Sequence, residues 1–420
     1  MELDSSGRKT ILTMVDHYIP GHNAGGPIRS ISNLVEALGD EFNFLIITTD
    51  RDYKANRPYE GIAPGTWLPT GKAKVMYLSP RGLTIRNMLR LIRNTGYDLL
   101  YINSFFSRRF SMLPCLLGWL GMISSTPILL APRGEFSPGA IKIKRGRKKI
   151  YLWFSRLLGI HRKIKWHASS DFEKKDIIRE FGKNIMPSTS KPSKRVNLNK
   201  TYVRGNSIDV IVANNISNYG IHLYYNKNNY KLAGSVRFLF LSRISPMKNL
   251  DMAIELLNGL KGDIQYHIYG PIGDKNYWNQ CNKRIETMAS NIKIFYKGEV
   301  PHEQTYQVFS QYDFFLLPTR GENYGHVIIE SLQAGCPVII SDQTPWRNLE
   351  TSGVGWDLSL EDRDALRSVL QKCVDMNADE YDIYSNRAME YAVAHGLNPE
   401  ILEQNRNLFK NPLNFLTVGQ

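Results

Sequence analysis

Residues Pro318 to Trp346, PTRGENYGHVIIESLQAGCPVIISDQTPW, constrain this 420-residue chain more than any other stretch. Phe314-Phe315-Leu316-Leu317 is an apolar run of strand length that stops at Pro318. A Gly-bearing loop, Thr319 to Gly325, leads into a short helical pattern from His326 to Ala334. Gly335 ends that pattern, at the position where helix termini favour glycine. Pro337 then opens a second apolar run, Val338-Ile339-Ile340. Strand, loop, helix and strand in this order predict a parallel sheet covered on both faces. The loop falls at the carboxyl end of a strand, where open α/β sheets bind ligands.

The first amides of such a helix lack partners within it, and the helix dipole there favours an anion such as a phosphate. Glu322 in the loop and Glu330 on the helix have seven residues between them. A carboxylate beside an anion site is unfavourable unless it accepts hydroxyls, so the pair suits a sugar and a ribose flanking a diphosphate. The plain alternative is a crossover helix with a solvated glutamate at each end. The wording ENYGHVIIES…GCPVIISDQTPWRNL resembles the E-x7-E signature of retaining glycosyltransferases of family 4, which have the two-domain GT-B fold. The resemblance implies that Glu322 contacts the donor sugar and that Glu330 binds the ribose hydroxyls. It further implies that Asn323, Tyr324, Gly325 and His326 bind the donor, the amides around Tyr324 to His326 holding the distal phosphate.

Other strand ends carry further candidates. Thr10 to Asp16 reads as a first strand that runs into Gly25-Gly26 and a helix from Ile28 to Leu38. Two adjacent glycines let backbone approach a ligand closely, although such loops are as often simple turns. In the family this first loop faces the donor diphosphate. Asp50-Arg51-Asp52 follows a second strand, Phe44 to Thr49, and fits the D-x-D pattern of metal-binding carboxylates. It reads as a solvated loop, and no metal is expected. Arg133 and Glu135 follow the strand Pro127 to Ala131 and are candidates for the floor of the cleft between domains, or else a surface ion pair.

In the second half, Arg243 and Lys248 flank the junction between a strand (Val236 to Ser242) and a helix (Leu250 to Leu260). That geometry puts two cations on a phosphate, and it matches the family's phosphate clamp. Strands at Gln265 to Tyr269 and Ile292 to Lys297 end in Gly270 and in Gly298-Glu299-Val300. The resemblance puts the nucleotide base near Glu299 and Val300. The stretch from Tyr53 to Lys74 is too irregular to assign, and Asp171 reads as the cap of a helix running to Phe181.

The four cysteines are scattered without CxxC or metal-ligand spacing, which favours a reducing compartment. MELDSSGRKT has no apolar stretch of signal-peptide type. The most apolar window, Phe110 to Ala131, is broken by Pro114, Ser124, Ser125 and Pro127, so a helix from Leu113 to Met122 plus a strand explains it better than a membrane span. The net charge of +14 is concentrated: residues 130–200 hold 19 Lys/Arg against 5 Asp/Glu, and the remainder balances. Within 140–166, Lys142, Lys144, Arg145, Arg147, Lys148 and Lys149 precede Ile150, Tyr151, Leu152, Trp153, Phe154, Leu157 and Leu158. Cations beside Trp, Phe and Leu describe a helix lying on an anionic membrane surface. A solvated face backed by a core face would look the same. No nucleic-acid module is visible.

The expected fold class is α/β, GT-B, with two Rossmann-like parallel-sheet domains facing across a cleft. The expected boundaries are 1–214, a linker at 215–234, a donor domain at 235–395 and a tail at 396–420 that packs on the first domain. The resemblance implies a cytoplasmic enzyme, peripheral on the inner membrane face, that needs no cofactor or metal. It would move a sugar from a UDP- or GDP-linked donor to a sugar or lipid-linked acceptor, with retention, in surface polysaccharide or lipopolysaccharide assembly. An epimerase or phosphorylase of the same fold, or a non-catalytic sugar-nucleotide-binding protein, is the alternative.

Overall fold

The computed structural model describes residues 7–142, 145–182, 208–217, 231–396 and 398–410. The chain divides into two compact units: unit 1 is Met1–Ile216 with Pro399–Gln420, and unit 2 is Ser217–Asn398. The linker read at 215–234 lies mostly outside the described residues, as does the polar stretch from Pro187 to Lys200.

Unit 1 begins with β1 (Thr10–Val15), α1 (Gly26–Leu38), β2 (Asn43–Thr49), β3 (Trp67–Thr70), β4 (Ala73–Leu78), α2 (Ile85–Asn94) and β5 (Leu99–Asn103). It continues with α3 (Leu113–Trp119), β6 (Ile128–Ala131), α4 (Pro138–Lys142), α5 (Arg145–Leu157), β7 (Lys165–Ala168), α6 (Asp171–Phe181) and β8 (Val210–Val212). Its sheet has the order β3-β4-β2-β1-β5-β6-β7-β8. Every pairing is parallel except β3 with β4, a short antiparallel edge inside the stretch that the sequence leaves unassigned. All six residues of β1 are buried, as a strand covered on both faces requires. Ser170, not Asp171, caps α6: its hydroxyl accepts from the Glu173 amide, and Asp171 falls in the first turn.

Unit 2 runs β9 (Ser235–Leu241), α7 (Leu250–Leu257), β10 (Asp263–Tyr269), α8 (Lys275–Ile285), β11 (Ile292–Gly298), α9 (Thr305–Phe309) and β12 (Phe314–Leu317). It then adds α10 (His326–Gln333), β13 (Val338–Ser341), α11 (Leu349–Ser352), β14 (Gly355–Leu358), α12 (Arg363–Asp375) and α13 (Ala378–Gly396). The sheet order is β11-β10-β9-β12-β13-β14, parallel throughout. Phe314 to Leu317 and Val338 to Ile340 are wholly buried, and Gly335 after α10 takes a φ of 64°. The four cysteines are free and buried.

The last helix, α14 (Pro399–Lys410), belongs to unit 1. Phe409 sits edge-on to Phe42, Phe44 and Tyr101 with ring centroids 5.5–5.7 Å apart. Asn405 donates to Asn214 O at 2.7 Å, and Gln404 Oε1 accepts from the Asn214 amide at 3.2 Å. The chain therefore leaves unit 1 and returns to it.

Candidate functional site

In unit 2 the sheet grows from β9 in two directions, to β10 and β11 on one side and to β12, β13 and β14 on the other. The crevice at the carboxyl ends of β9 and β12 is thus a topological switch point, where sheets of this kind hold ligands. The loop after β9 carries Arg243 and Lys248; the loop after β12 carries Glu322.

The two loops are sewn together. Met247 O accepts from the Arg320 amide at 2.8 Å and from Thr319 Oγ1 at 3.1 Å. Arg320 Nε donates to Asn249 Oδ1 at 3.0 Å, and the Glu322 amide donates to Gln343 O at 3.0 Å. Across this junction Lys248 Nζ donates to Glu322 Oε1, with side chains only 20% and 11% exposed. One of the ammonium's three donors is thereby spent on the carboxylate, and the pairing fixes both groups at the crevice. Arg243 lies across Gly273, where a Cβ would meet its Cγ and Cδ at 2.8 Å. Lys248 and Glu322, predicted from two separate motifs, thus meet, and Arg243 stands on the same β9–α7 loop as Lys248.

Gly325 precedes α10 with φ 80° and ψ 59°, a left-handed conformation that costs an ordinary residue about 1–2 kcal/mol. Tyr324 is not displayed as a ligand-facing side chain: it is 5% exposed, its hydroxyl is 2.7 Å from Ser217 Oγ and 3.2 Å from His395 Nε2, and its ring packs on Trp346. Trp346 Nε1 donates to Tyr324 O, and burial lowers the His395 pKa. Tyr324 thus bears on any ligand through its backbone. His326 is 7% exposed and stacks obliquely on Tyr324, whereas Asn323 is half-buried. Glu330, one turn along α10, has His302 Nε2 3.6 Å from its Oε1. Gly270 and the pair Glu299-Val300 follow β10 and β11 on the same edge, joined by the Gly270 amide to Gly298 O at 2.8 Å. Arg320 and Trp346 lie within the stretch that the sequence reading singles out but are given no role there, whereas His302 and His395 escape it, since nothing local marks them.

In unit 1, Gly25 and Gly26 form the entry to α1 at the carboxyl end of β1, Gly25 with φ 72°. Asp50 and Asp52 are not solvated as expected: they are 3% and 8% exposed. Asp50 accepts from Arg51 Nε at 2.8 Å. Asp52 accepts from the amides of His22 at 2.9 Å, Asn23 at 3.1 Å and Tyr53 at 2.7 Å, so it moors the glycine loop. Arg133 and Glu135 do not pair with each other. The Arg133 guanidinium is held by Asn103, Asn215 and Tyr101 at 2.6–3.0 Å. Glu135 accepts from Ser104 Oγ and the amides of Phe105 and Phe106; burial raises its pKa against these bonds. Both act as internal ties of the β5–β6 edge.

Helix α5 separates the two readings of the basic segment. Ile150, Trp153, Phe154 and Leu157, at i, i+3, i+4 and i+7, are all exposed, and Leu152 and Ser155 face inward. The apolar stripe is on the outside. Lys148 is turned in, donating to Ala140 O at 2.8 Å over the Phe106 ring. The side chains of Lys142, Lys144 and Arg145 lie outside the described residues. Among the described residues no group of His, Cys, Asp or Glu is placed to hold a metal, and no helix is long and apolar enough to cross a membrane.

Residues 226–390 match the family described as Glycosyl transferases group 1. Over 148 residues the chain is 25% identical to an alpha-monoglucosyldiacylglycerol synthase of Streptococcus pneumoniae (strain ATCC BAA-255 / R6), covering 34% of this chain and 33% of that protein. The match thus spans about a third of that relative's length. Anabaena Alr3699/HepE, solved in complex with UDP and glucose, superposes with a TM-score of 0.63 at 13% identity over 96% of this chain and 98% of its own. Sucrose-phosphate synthase from Thermosynechococcus elongatus gives 0.66 at 15% identity over 97% of this chain and 100% of its own. At such identities the likeness shows the fold, which is GT-B with two Rossmann-like parallel sheets.

Proposed function

We propose that this chain is a retaining glycosyltransferase of family 4 that transfers a sugar from a nucleoside diphosphate donor, UDP- or GDP-linked, to a hydroxyl acceptor. The observation that carries the reading is the Lys248–Glu322 pair at the switch point of unit 2, with Arg243 on the same loop as Lys248 and α10 following the loop of Glu322. Two cations and oriented amides meet the charge that grows on a departing diphosphate, and electrostatic preorganisation of this kind does the work that a bound metal does elsewhere. Glu322, already hydrogen-bonded to Lys248, positions the donor sugar and is not the nucleophile; the acceptor attacks the face from which the diphosphate leaves. Glu330 takes the ribose hydroxyls. The family match and a solved neighbour that holds UDP and glucose support a sugar nucleotide as the donor. The exposed stripe of α5 supports a peripheral place on an anionic membrane; a role in surface polysaccharide or lipopolysaccharide assembly rests on the family resemblance.

Thermal melting against UDP, GDP, ADP and their sugar conjugates tests this. A native-state ligand at a hundredfold excess over Kd stabilises by about 2.7 kcal/mol, a shift of several degrees. One nucleoside diphosphate family is expected to raise the melting point, and a flat response to all of them refutes the reading. Sugar-nucleotide turnover without any acceptor would instead favour an epimerase or phosphorylase of the same fold.

A further inference from the structure

Unit 1 holds a cavity of about 220 Å³ that the donor chemistry leaves unused. Its apolar walls come from Ile85 at the start of α2, Met112, Leu113 and Leu116 at the start of α3, and Ile160 beyond α5. Tyr151 of α5 also lines it, and its hydroxyl is buried without a hydrogen-bond partner among the described residues. Arg108 and Arg109 complete the lining, and both are exposed. They sit on a wide turn, Arg108–Met112, with the Met112 amide bonded to Ser107 O at 2.8 Å and the Leu113 amide to Arg108 O. Insertions of this type recur at functional sites.

Two observations fix the class of ligand. Apolar walls call for hydrocarbon, and two exposed arginines in the lining, Arg108 and Arg109, call for an anionic group such as a phosphate, which a guanidinium binds through its planar fork. The surroundings name the source. Ile150, Trp153, Phe154 and Leu157 are 50–62% exposed on α5, and Trp119, Leu120 and Met122 are 38–52% exposed at the end of α3. Of the helices that line the cavity, α3 and α5 also expose aromatic and aliphatic side chains of the kind that enters a bilayer interface.

We infer that this cavity takes the first part of one hydrocarbon chain of an anionic membrane phospholipid, with the phosphate on Arg108 and Arg109. The inference deepens the membrane contact proposed above and rests on it, and it is independent of the donor site.

The test uses the full chain and 12-carbon lysophosphatidylglycerol below its micelle concentration, measured by calorimetry. Saturable binding is expected, about tenfold weaker for the zwitterionic choline analogue and absent for inorganic phosphate. Leu116→Trp, which fills the cavity from a partly exposed position, and Arg108→Glu with Arg109→Glu are each expected to weaken lysolipid binding by about tenfold or more. Trp153→Ser with Leu157→Ser, outside the cavity, is expected to abolish flotation with phosphatidylglycerol vesicles and to leave lysolipid binding intact. Equal lysolipid affinity in Leu116→Trp and the parent, with melting points unchanged, overturns the assignment. So does phosphate binding as tight as the lysolipid. Flotation that survives the α5 substitutions overturns the membrane contact and, with it, the assignment of a membrane lipid to the cavity.

Discussion

At the scale of single residues, the Lys248–Glu322 pair makes the sharpest claim. Removing Lys248 strands a carboxylate that is only 11% exposed and deletes a cation aimed at the leaving group. Lys248→Ala is therefore expected to lower kcat by about two to three orders of magnitude, as loss of an oriented charge does, with a smaller effect on nucleotide affinity. Glu330→Ala is expected to do the reverse, weakening nucleotide binding by about 1.5–3 kcal/mol with kcat less affected. Steady-state kinetics and melting with nucleotide separate the two; a kcat unaffected by Lys248→Ala removes that residue from the chemistry. Both residues were legible in the sequence because a motif is local. Lys148 was misread for the same reason: composition makes it one of a basic run, and only packing shows it bonded inward to Ala140 O. His161 is a second residue that sequence cannot evaluate. It sits in an aromatic cage of Phe105, Trp166 and Phe181, both ring nitrogens buried without partners among the described residues, and burial lowers its pKa to about 3. The unfolded chain, with an ordinary pKa of about 6.5, binds the proton first. Stability is therefore full above that value and falls as pH drops toward the folded one. At pH 5 the loss from this group is about 2 kcal/mol. His161→Phe is expected to flatten the decline of melting temperature between pH 7 and 5 by one proton's share; His167, lowered to about 3 by burial and Arg133, keeps its own share, as do His267, lowered to about 4, and His395. An unchanged slope would show His161 protonated in the fold.

At the scale of elements, the loop that enters α1 shows what a linear reading loses. Gly25 and Gly26 announce a tight turn, yet the turn is held by Asp52, about thirty residues on, through the amides of His22 and Asn23. A carboxylate that accepts several backbone amides and is 8% exposed pays for its burial only while those donors stay in place. Asp52→Ala is expected to destabilise unit 1 by about 2–3 kcal/mol and to raise hydrogen exchange at His22 and Asn23 selectively. Uniform exchange across β1, α1 and β2 would mean that the loop holds itself. The strands themselves were easy to read, since apolar runs such as Phe314 to Leu317 serve a sheet covered on both faces. β3 was not, because its burial pattern, with Pro69 exposed, carries no such run and its pairing is an antiparallel edge. The cap of α6 was missed by one residue, because Ser170 and Asp171 are both good caps and only backbone geometry chooses.

At the scale of the whole molecule, alternating strands and helices were enough to foresee two parallel sheets, but strand order and the route of the chain depend on long-range packing. The return of α14 to unit 1 is expected from the tail at 396–420, but the contacts that hold it there are not legible in its amphipathic sequence. Its place is set by Phe409 between Phe42, Phe44 and Tyr101, by Asn405 on Asn214 O, and by Arg406, which holds Glu41 through two guanidinium nitrogens. Phe409 is fully buried, so truncation removes a large apolar side chain and leaves a cavity. Phe409→Ala is expected to cost unit 1 about 3–5 kcal/mol, read as an earlier transition in urea followed by Trp fluorescence. Arg243, Lys248, Glu322 and Glu330 all belong to unit 2, so nucleotide is expected still to stabilise the later transition of this variant. Loss of that stabilisation along with the early transition would show that nucleotide binding depends on residues of unit 1. A single transition shifted as a whole would show that the two units unfold as one cooperative body.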